Sequence, residues 1–281
     1  MIRMLCTFIM VCVLLTLTVL CLAASKAPAG VHPIVDATDQ GQLFGGAING
    51  KWVGEDVMQK KIKGGETYRL YSFNKYLGTG IGGTPEKSEL SGDSLYLRIT
   101  PAPKVKIDEK CTIGISGNWN ALTRVPRDEN VHQQVYTKAV HDMLVSKGLA
   151  EAPVNITRIV RVDLDGDGKD EVLISATTPR KGYADWSHKD RQPRKGDYSF
   201  VMLRKLVKGT VKTMMLDGEF YPSEKNLSGE AYRYTIDAVL DANGDGVMEV
   251  ITGYRNLASG RRIIDITGSK AKSVLSADQD V

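Results

Sequence analysis

Two short stretches concentrate the side chains able to hold a cation. Asp163-Leu-Asp165-Gly-Asp167-Gly-Lys-Asp-Glu171 and Asp241-Ala-Asn243-Gly-Asp245-Gly-Val-Met-Glu249 each set oxygen-bearing side chains at positions 1, 3, 5 and 9, with glycine at positions 4 and 6. Many oxygen ligands on a flexible loop suit a hard cation. Calcium, which takes six to eight oxygens, is the expected ion. The glycines permit the tight turning that lets alternate side chains converge on one point. A lone stretch of this kind would read as a solvated acidic turn; two copies predict two calcium sites.

The flanks decide what kind of loop this is. An EF-hand needs a bidentate Glu at position 12, between helices. Here position 12 is Ile174 in one copy and Thr252 in the other, and the acid stands at position 9. The flanking runs, 156–162 and 172–177 around the first copy and 232–240 and 250–254 around the second, are β-branched and aromatic, as strands are. Each acidic loop is therefore expected to join two strands of a hairpin. A nine-residue Asp-rich loop closed by Glu-Val-Leu-Ile or Glu-Val-Ile resembles the FG-GAP or VCBS repeats, the calcium-binding hairpins of integrin-type β-propellers. The resemblance runs from about Thr157 to Ser276. It implies that the side chains at 1, 3, 5 and 9 and the carbonyl at 7 hold the ion. Those are Asp163, Asp165, Asp167, Glu171 and the Lys169 carbonyl, then Asp241, Asn243, Asp245, Glu249 and the Val247 carbonyl. The family often has Asp where Glu171 and Glu249 stand; the longer side chain can still reach. Four carboxylates against three and an amide predict that the first site binds more tightly.

The elements that must position these loops form two similar units. Each reads strand, loop, strand, connection, strand, turn, strand. The later strands are expected at 198–204 and 211–215 in the first unit, and at 262–266 and 272–275 in the second. A four-stranded unit matches a propeller blade, but propellers typically need four or more. The expected fold is mainly β with a minor α+β N-terminal part over residues 25–150. Two four-stranded, blade-like β units carrying the Asp-rich calcium loops follow over 151–281. A partial or degenerate β-propeller over the whole mature chain is the alternative. In the N-terminal part, 43–52 reads as a hairpin turning at Asn49-Gly50. A short helix at 55–62 is stopped by Gly64-Gly65. Strands are expected at 67–73, 95–99 and 112–116. A longer helix spans 129–147, with Val131, Val135, Ala139, Met143 and Leu144 as its apolar stripe and Gly148 as its stop. Gly78-Thr-Gly-Ile-Gly-Gly83 fits G-x-G-x-x-G, yet no helix follows to hold a pyrophosphate, so 78–93 reads as a flexible loop.

Residues 1–24 read as a secretory signal peptide: a basic start, an apolar run from Leu5, and small residues at Ala23-Ala-Ser. The alternatives are a membrane anchor formed by residues 5–24 and a lipoprotein at Cys21, where Leu20 stands in place of the small residue expected. The chain is thus expected to be secreted or in the periplasm or cell envelope, with no membrane span after cleavage. Cys6, Cys12 and Cys21 fall in this leader, which leaves Cys111 without an internal disulfide partner and suited to a small buried position. Calcium would then serve as the staple. A net charge of +4 is too slight to imply nucleic acid.

No pattern speaks for catalysis. His32, His132, His141 and His188 are scattered and form no zinc motif. There is no G-x-S-x-G, and no acidic pair apart from the two loops suggests a glycosidase. The basic connection 179–196, with Tyr183 and Trp186, is the candidate surface for a protein or glycan ligand. The expected function is that of an exported, calcium-binding, non-enzymatic binding or scaffolding protein. An exported hydrolase-like enzyme with accessory β repeats is the alternative, its site around Trp52, Ser116, Asn118 and Trp119.

Overall fold

Three antiparallel sheets follow one another along the chain. The computed structural model describes residues 27–38, 41–87, 94–185, 187–189, 191–227 and 229–279. The expected leader (residues 1–24) and Trp186 lie outside them. The first sheet contains β1 (Val31–Asp36), β2 (Gln42–Ile48), β3 (Lys51–Gly54), β4 (Thr67–Ser72), β5 (Lys75–Gly82), β6 (Glu86–Lys87), β7 (Leu95–Tyr96), β8 (Ile99–Pro101) and β9 (Ile113–Ile115). Its order is β6-β7-β2-β1-β9-β4-β5-β8, with β3 on β2, and it curls. Asn49 and Gly50 both take positive φ, 51° and 75°, at the β2–β3 turn. That is the primed hairpin geometry the Asn-Gly pair favours.

The second sheet is β10 (Arg127–Glu129), β11 (Ile156–Val162), β12 (Glu171–Thr177), β13 (Tyr198–Val207) and β14 (Thr210–Phe220), in chain order. The third is β15 (Arg233–Leu240), β16 (Glu249–Arg255), β17 (Ser259–Thr267) and β18 (Lys270–Gln279), also in chain order. Both four-stranded runs expected from the sequence are therefore present, and β10 adds a fifth strand beside β11. Strands β12 and β16 are buried along nearly their whole length, as the continuous apolar runs demand. One core passes through all three sheets: Ile34, Phe44 and Ile113 of the first meet Val160, Leu173 and Leu203 of the second and Val239, Ile251 and Ile263 of the third.

Helical content is small. The first helical element is a single turn, α1 (Glu55–Met58), continued by a 3-10 turn over Gln59–Lys61. Gly64 and Gly65 follow it at positive φ. The second, α2 (Gln134–Ser146), starts later than expected because 127–129 is drawn into pairing with β11. Its buried face is Tyr136, Val140 and Leu144, whereas Val135 is 57% exposed. Leu144 of the expected stripe is buried and Val131 packs against the same core, but Tyr136 and Val140 take the central places instead of Val135. Ala139 and Met143 flank the true face, and Gly148 ends the helix at φ 78°. This face packs on Ile159, Val172, Ile174 and Phe200. The N-terminal part is therefore β in substance, and α2 belongs by packing to the second sheet.

The glycine-rich stretch 78–82 also differs from expectation. It lies in β5 and pairs with β4 and β8. A Cβ on Gly82 would run into the Tyr68 ring, and one on Gly80 into Ile99. These glycines serve close packing rather than looseness. Cys111 is buried and free, and burial pushes its thiol far above the ordinary range. Among the described residues no helix is long and apolar enough to cross a membrane.

Candidate metal centre

The first acidic loop joins β11 to β12 and the second joins β15 to β16. Each closes a hairpin in which Val162 pairs with Glu171, or Leu240 with Glu249. Both loops fold through one set of hydrogen bonds. The position-9 carboxylate turns back to accept from the position-2 amide: Leu164 N–H to Glu171 Oε2 at 2.7 Å, Ala242 N–H to Glu249 Oε2 at 2.8 Å. The position-1 carboxylate accepts from the position-6 amide: Gly168 N–H to Asp163 Oδ2 and Gly246 N–H to Asp241 Oδ2, both 3.0 Å. The position-5 carboxylate accepts from the position-7 amide, Lys169 N–H and Val247 N–H, both at 2.8 Å. All four glycines hold positive φ: 76° and 84° at Gly166 and Gly168, 78° and 91° at Gly244 and Gly246. An L side chain there would be strained, which is why both positions carry Gly in both copies.

The two loops also touch. Met248 N–H donates to the Leu164 carbonyl at 2.8 Å. Arg124 donates to the carbonyls of Asp163, Leu164 and Gly246. Trp119 Nε1–H donates to the Asp241 carbonyl at 2.8 Å, and Asp241 N–H donates to the Ala121 carbonyl at 2.7 Å. The segment 119–124 thus braces the pair of turns.

Of the first set of expected ligands, Asp163, Asp165 and Glu171 bring oxygens within 4.8 Å of one another. Asp167 is not in that group; its side chain is 40% exposed and lies 3.6 Å from the Lys169 ammonium. Into this group reaches a residue the sequence reading missed. Lys205 Nζ donates to Asp165 Oδ2 at 2.6 Å and stands 3.5 Å from Glu171 Oε1, with its side chain only 7% exposed. Burial works against ionisation of Asp165, yet the Lys205 contact wins and holds its carboxyl below the ordinary range. Glu171 lies above its ordinary range because burial outweighs the Leu164 amide and Lys205.

The second set is more deeply enclosed. Asp241, Asn243 and Glu249 are 3%, 4% and 1% exposed, and Asp245 is half-buried. Asn243 Nδ2–H donates to Asp245 Oδ2 at 3.0 Å. Asp241 Oδ1 is buried without a hydrogen-bond partner. Burial, then repulsion from Asp245, raises the Asp241 carboxyl to about 6, and burial drives Glu249 well above its usual value. A buried carboxylate oxygen without a donor, beside two carboxyls that burial pushes toward holding their protons, is a place that positive charge would stabilise. Among the described residues, Asp163, Asp165 and Glu171 are the acidic group whose oxygens converge closely enough to hold a metal ion, and an ammonium already sits against two of them.

The residues named for a hydrolase site are engaged in structure. Trp52 packs against the core from β3. Trp119 serves Asp241, and its ring meets His32 edge to face at 4.9 Å. The Ser116 carbonyl bonds His32 Nδ1 at 3.0 Å, and Asn118 is exposed. In the basic connection, Arg180 pairs with Asp197 at 2.6 Å and donates to the Gln192 carbonyl at 2.8 Å. Arg191 lies 3.2 Å from Glu230, and Tyr183 is fully buried. Part of the cationic character read from the sequence is thus used within the protein. No protein-family model, no curated protein and no solved structure matches this chain.

Proposed function

We propose that this chain is a calcium-binding, non-enzymatic binding or scaffolding protein, exported under the direction of residues 1–24. The observation that carries the reading is the buried, unpartnered Asp241 Oδ1 at the head of a loop whose other oxygens come from Asn243, Asp245 and Glu249. A buried carboxylate oxygen with no donor is costly unless something positive satisfies it. Bound calcium supplies that charge without carrying out any reaction. The residues of the chain do the rest: the glycines set the turn, the position-9 glutamate ties it shut, and Trp119 and Arg124 brace it from behind. Turns held this way fix strands β11 and β12, whose far end carries the connection 179–196, and a fixed scaffold lowers the ordering cost of engaging a protein or glycan.

Equilibrium dialysis of the chelator-stripped chain against calcium tests the reading. Bound calcium and a melting temperature raised in its presence are expected; an ion that binds only the folded state adds about 2.7 kcal/mol at a hundred times its Kd. Identical melts in calcium and in chelator, with no ion recovered, would end it.

A further inference from the structure

The pairing registers set one residue of the third strand beside each acidic turn. In the second sheet Val172 opposes Arg204 and the ladder continues outward, so Lys205 stands across from Glu171. In the third sheet Val250 opposes Ile264, so Asp265 stands at the matching place across from Glu249. Val172 and Val250 each follow the position-9 glutamate, so the two places are equivalent by construction. One holds an ammonium and the other a carboxylate.

The surroundings differ accordingly. In the first turn the position-1 oxygen Asp163 Oδ1 accepts from Gly166 N–H at 2.8 Å and Asp167 N–H at 3.1 Å, while Lys205 bonds Asp165. Its counterpart in the second turn, Asp241 Oδ1, has no hydrogen bond of normal geometry, although the Gly244 amide lies near enough to favour the carboxylate. Among the described residues no lysine or arginine forms an ion pair with Asp241, Asp245, Glu249 or Asp265. The Arg124 guanidinium reaches only the Gly246 carbonyl there. Lys272, across from Asp265 on β18, is exposed.

We propose that the Lys205 ammonium is the resident cation of the first turn, and that exchangeable calcium is taken by the second turn alone, with Asp265 as an added oxygen ligand. This rests on the calcium reading above and narrows it. Counting ligands within each loop ranks the first site as tighter. Including the third strand reverses the order: four carboxylates face each turn, with an ammonium in contact with those of the first, whereas the second has only Arg124 nearby, bonded to backbone carbonyls rather than to its carboxylates. A tethered ammonium has one charge and three donors, so it can bond Asp165, stand beside Glu171 and offset part of their combined charge. It cannot leave, so it holds the first hairpin closed at any calcium concentration. It also repels a divalent ion from the space between them.

Stoichiometry on the full chain tests this. Equilibrium dialysis is expected to find one calcium per chain. That equivalent survives Asp163→Asn and is lost in Asp241→Asn. Lys205→Gln is expected to take up a second equivalent, and Asp265→Asn to bind the first about tenfold more weakly. Two equivalents in the unaltered chain would overturn the inference while leaving the calcium reading intact. So would a single equivalent that Asp163→Asn removes and Asp241→Asn spares. Unchanged affinity in Asp265→Asn would remove that residue from the ligand set. No calcium on the unaltered chain would defeat both readings together. Should Lys205→Gln fail to fold, the Asp163→Asn and Asp241→Asn stoichiometries still decide.

Discussion

The two acidic turns share a backbone path and a hydrogen-bond pattern, yet their electrostatics oppose each other. The first holds its excess charge against Lys205 at 2.6 Å; the second leaves Asp241 Oδ1 buried and unpaired. Geometry and cation supply are thus separable properties. The glycines and the position-9 glutamate are enough to shape the turn. What balances its charge comes from a strand further along the chain. A repeated motif can therefore keep its form in both copies while needing an external ion in only one.

The comparison can be broken most severely at Lys205. Lys205→Met removes the partner of buried Glu171 and of Asp165, whose side chain is 32% exposed. Urea denaturation in chelator is expected to show a loss of roughly 3–5 kcal/mol, as for other buried pairs cut on one side. A loss below about 1 kcal/mol would mean the ammonium is not needed there. Next in size, Asp265→Lys should give the second turn the cation of the first. Its melting temperature is expected to become the same in calcium and in chelator, whereas the unaltered chain gains about 2–3 kcal/mol from saturating calcium. Arg124→Ala sharpens the comparison by acting on both turns at once. Losing charged donors to three carbonyls should cost about 2 kcal/mol, and calcium should recover only the part belonging to the second turn.

The smallest effect is on pH. The Asp241 carboxyl is raised to about 6 in the folded chain, above its unfolded value, with Asp245, Glu249 and Asp265 as its acidic neighbours and Arg124 as the nearby cation. A raised value means that protonation favours the fold. The contribution is complete only below the ordinary carboxyl value of 3.8, declines through mild acid and is lost as pH climbs through about 6. In chelator, melts at about pH 5.5 should exceed those at about pH 7.5 by an amount on the order of 1 kcal/mol. Calcium should reverse the trend, since proton and ion compete for the same oxygens. A calcium-free chain that gains stability from about pH 5.5 to about pH 7.5 would contradict the assignment.

The turns and their strands were legible because each signal is local. Glycine at positive φ, alternating oxygens and β-branched flanks all fall within one short window, and the structure places the strands of both hairpins there. Lys205 and Asp265 were not legible, because their places depend on pairing register. The connection 179–196 lengthens the path from Glu171 to Lys205, while a short turn carries Glu249 to Asp265. No fixed spacing marks the two as equivalent. A lysine and an arginine inside the apolar run Tyr198–Val207 were the only hint. Helix α2 and most of its apolar face were legible, Leu144 among them, but Val135 was taken for core in place of Tyr136, since both are apolar enough and only packing on β11–β13 chooses between them. The glycines at 78–82 suggested looseness when the Tyr68 and Ile99 side chains needed room.

Arg124 gives this arrangement a consequence of its own. A single guanidinium donating to the Asp163, Leu164 and Gly246 carbonyls, beside the Met248–Leu164 amide bond, makes the neighbouring bends one mechanical joint. Their fluctuations are therefore shared. Calcium captured by one bend should slow amide exchange in the other, although the responding bend binds none of it.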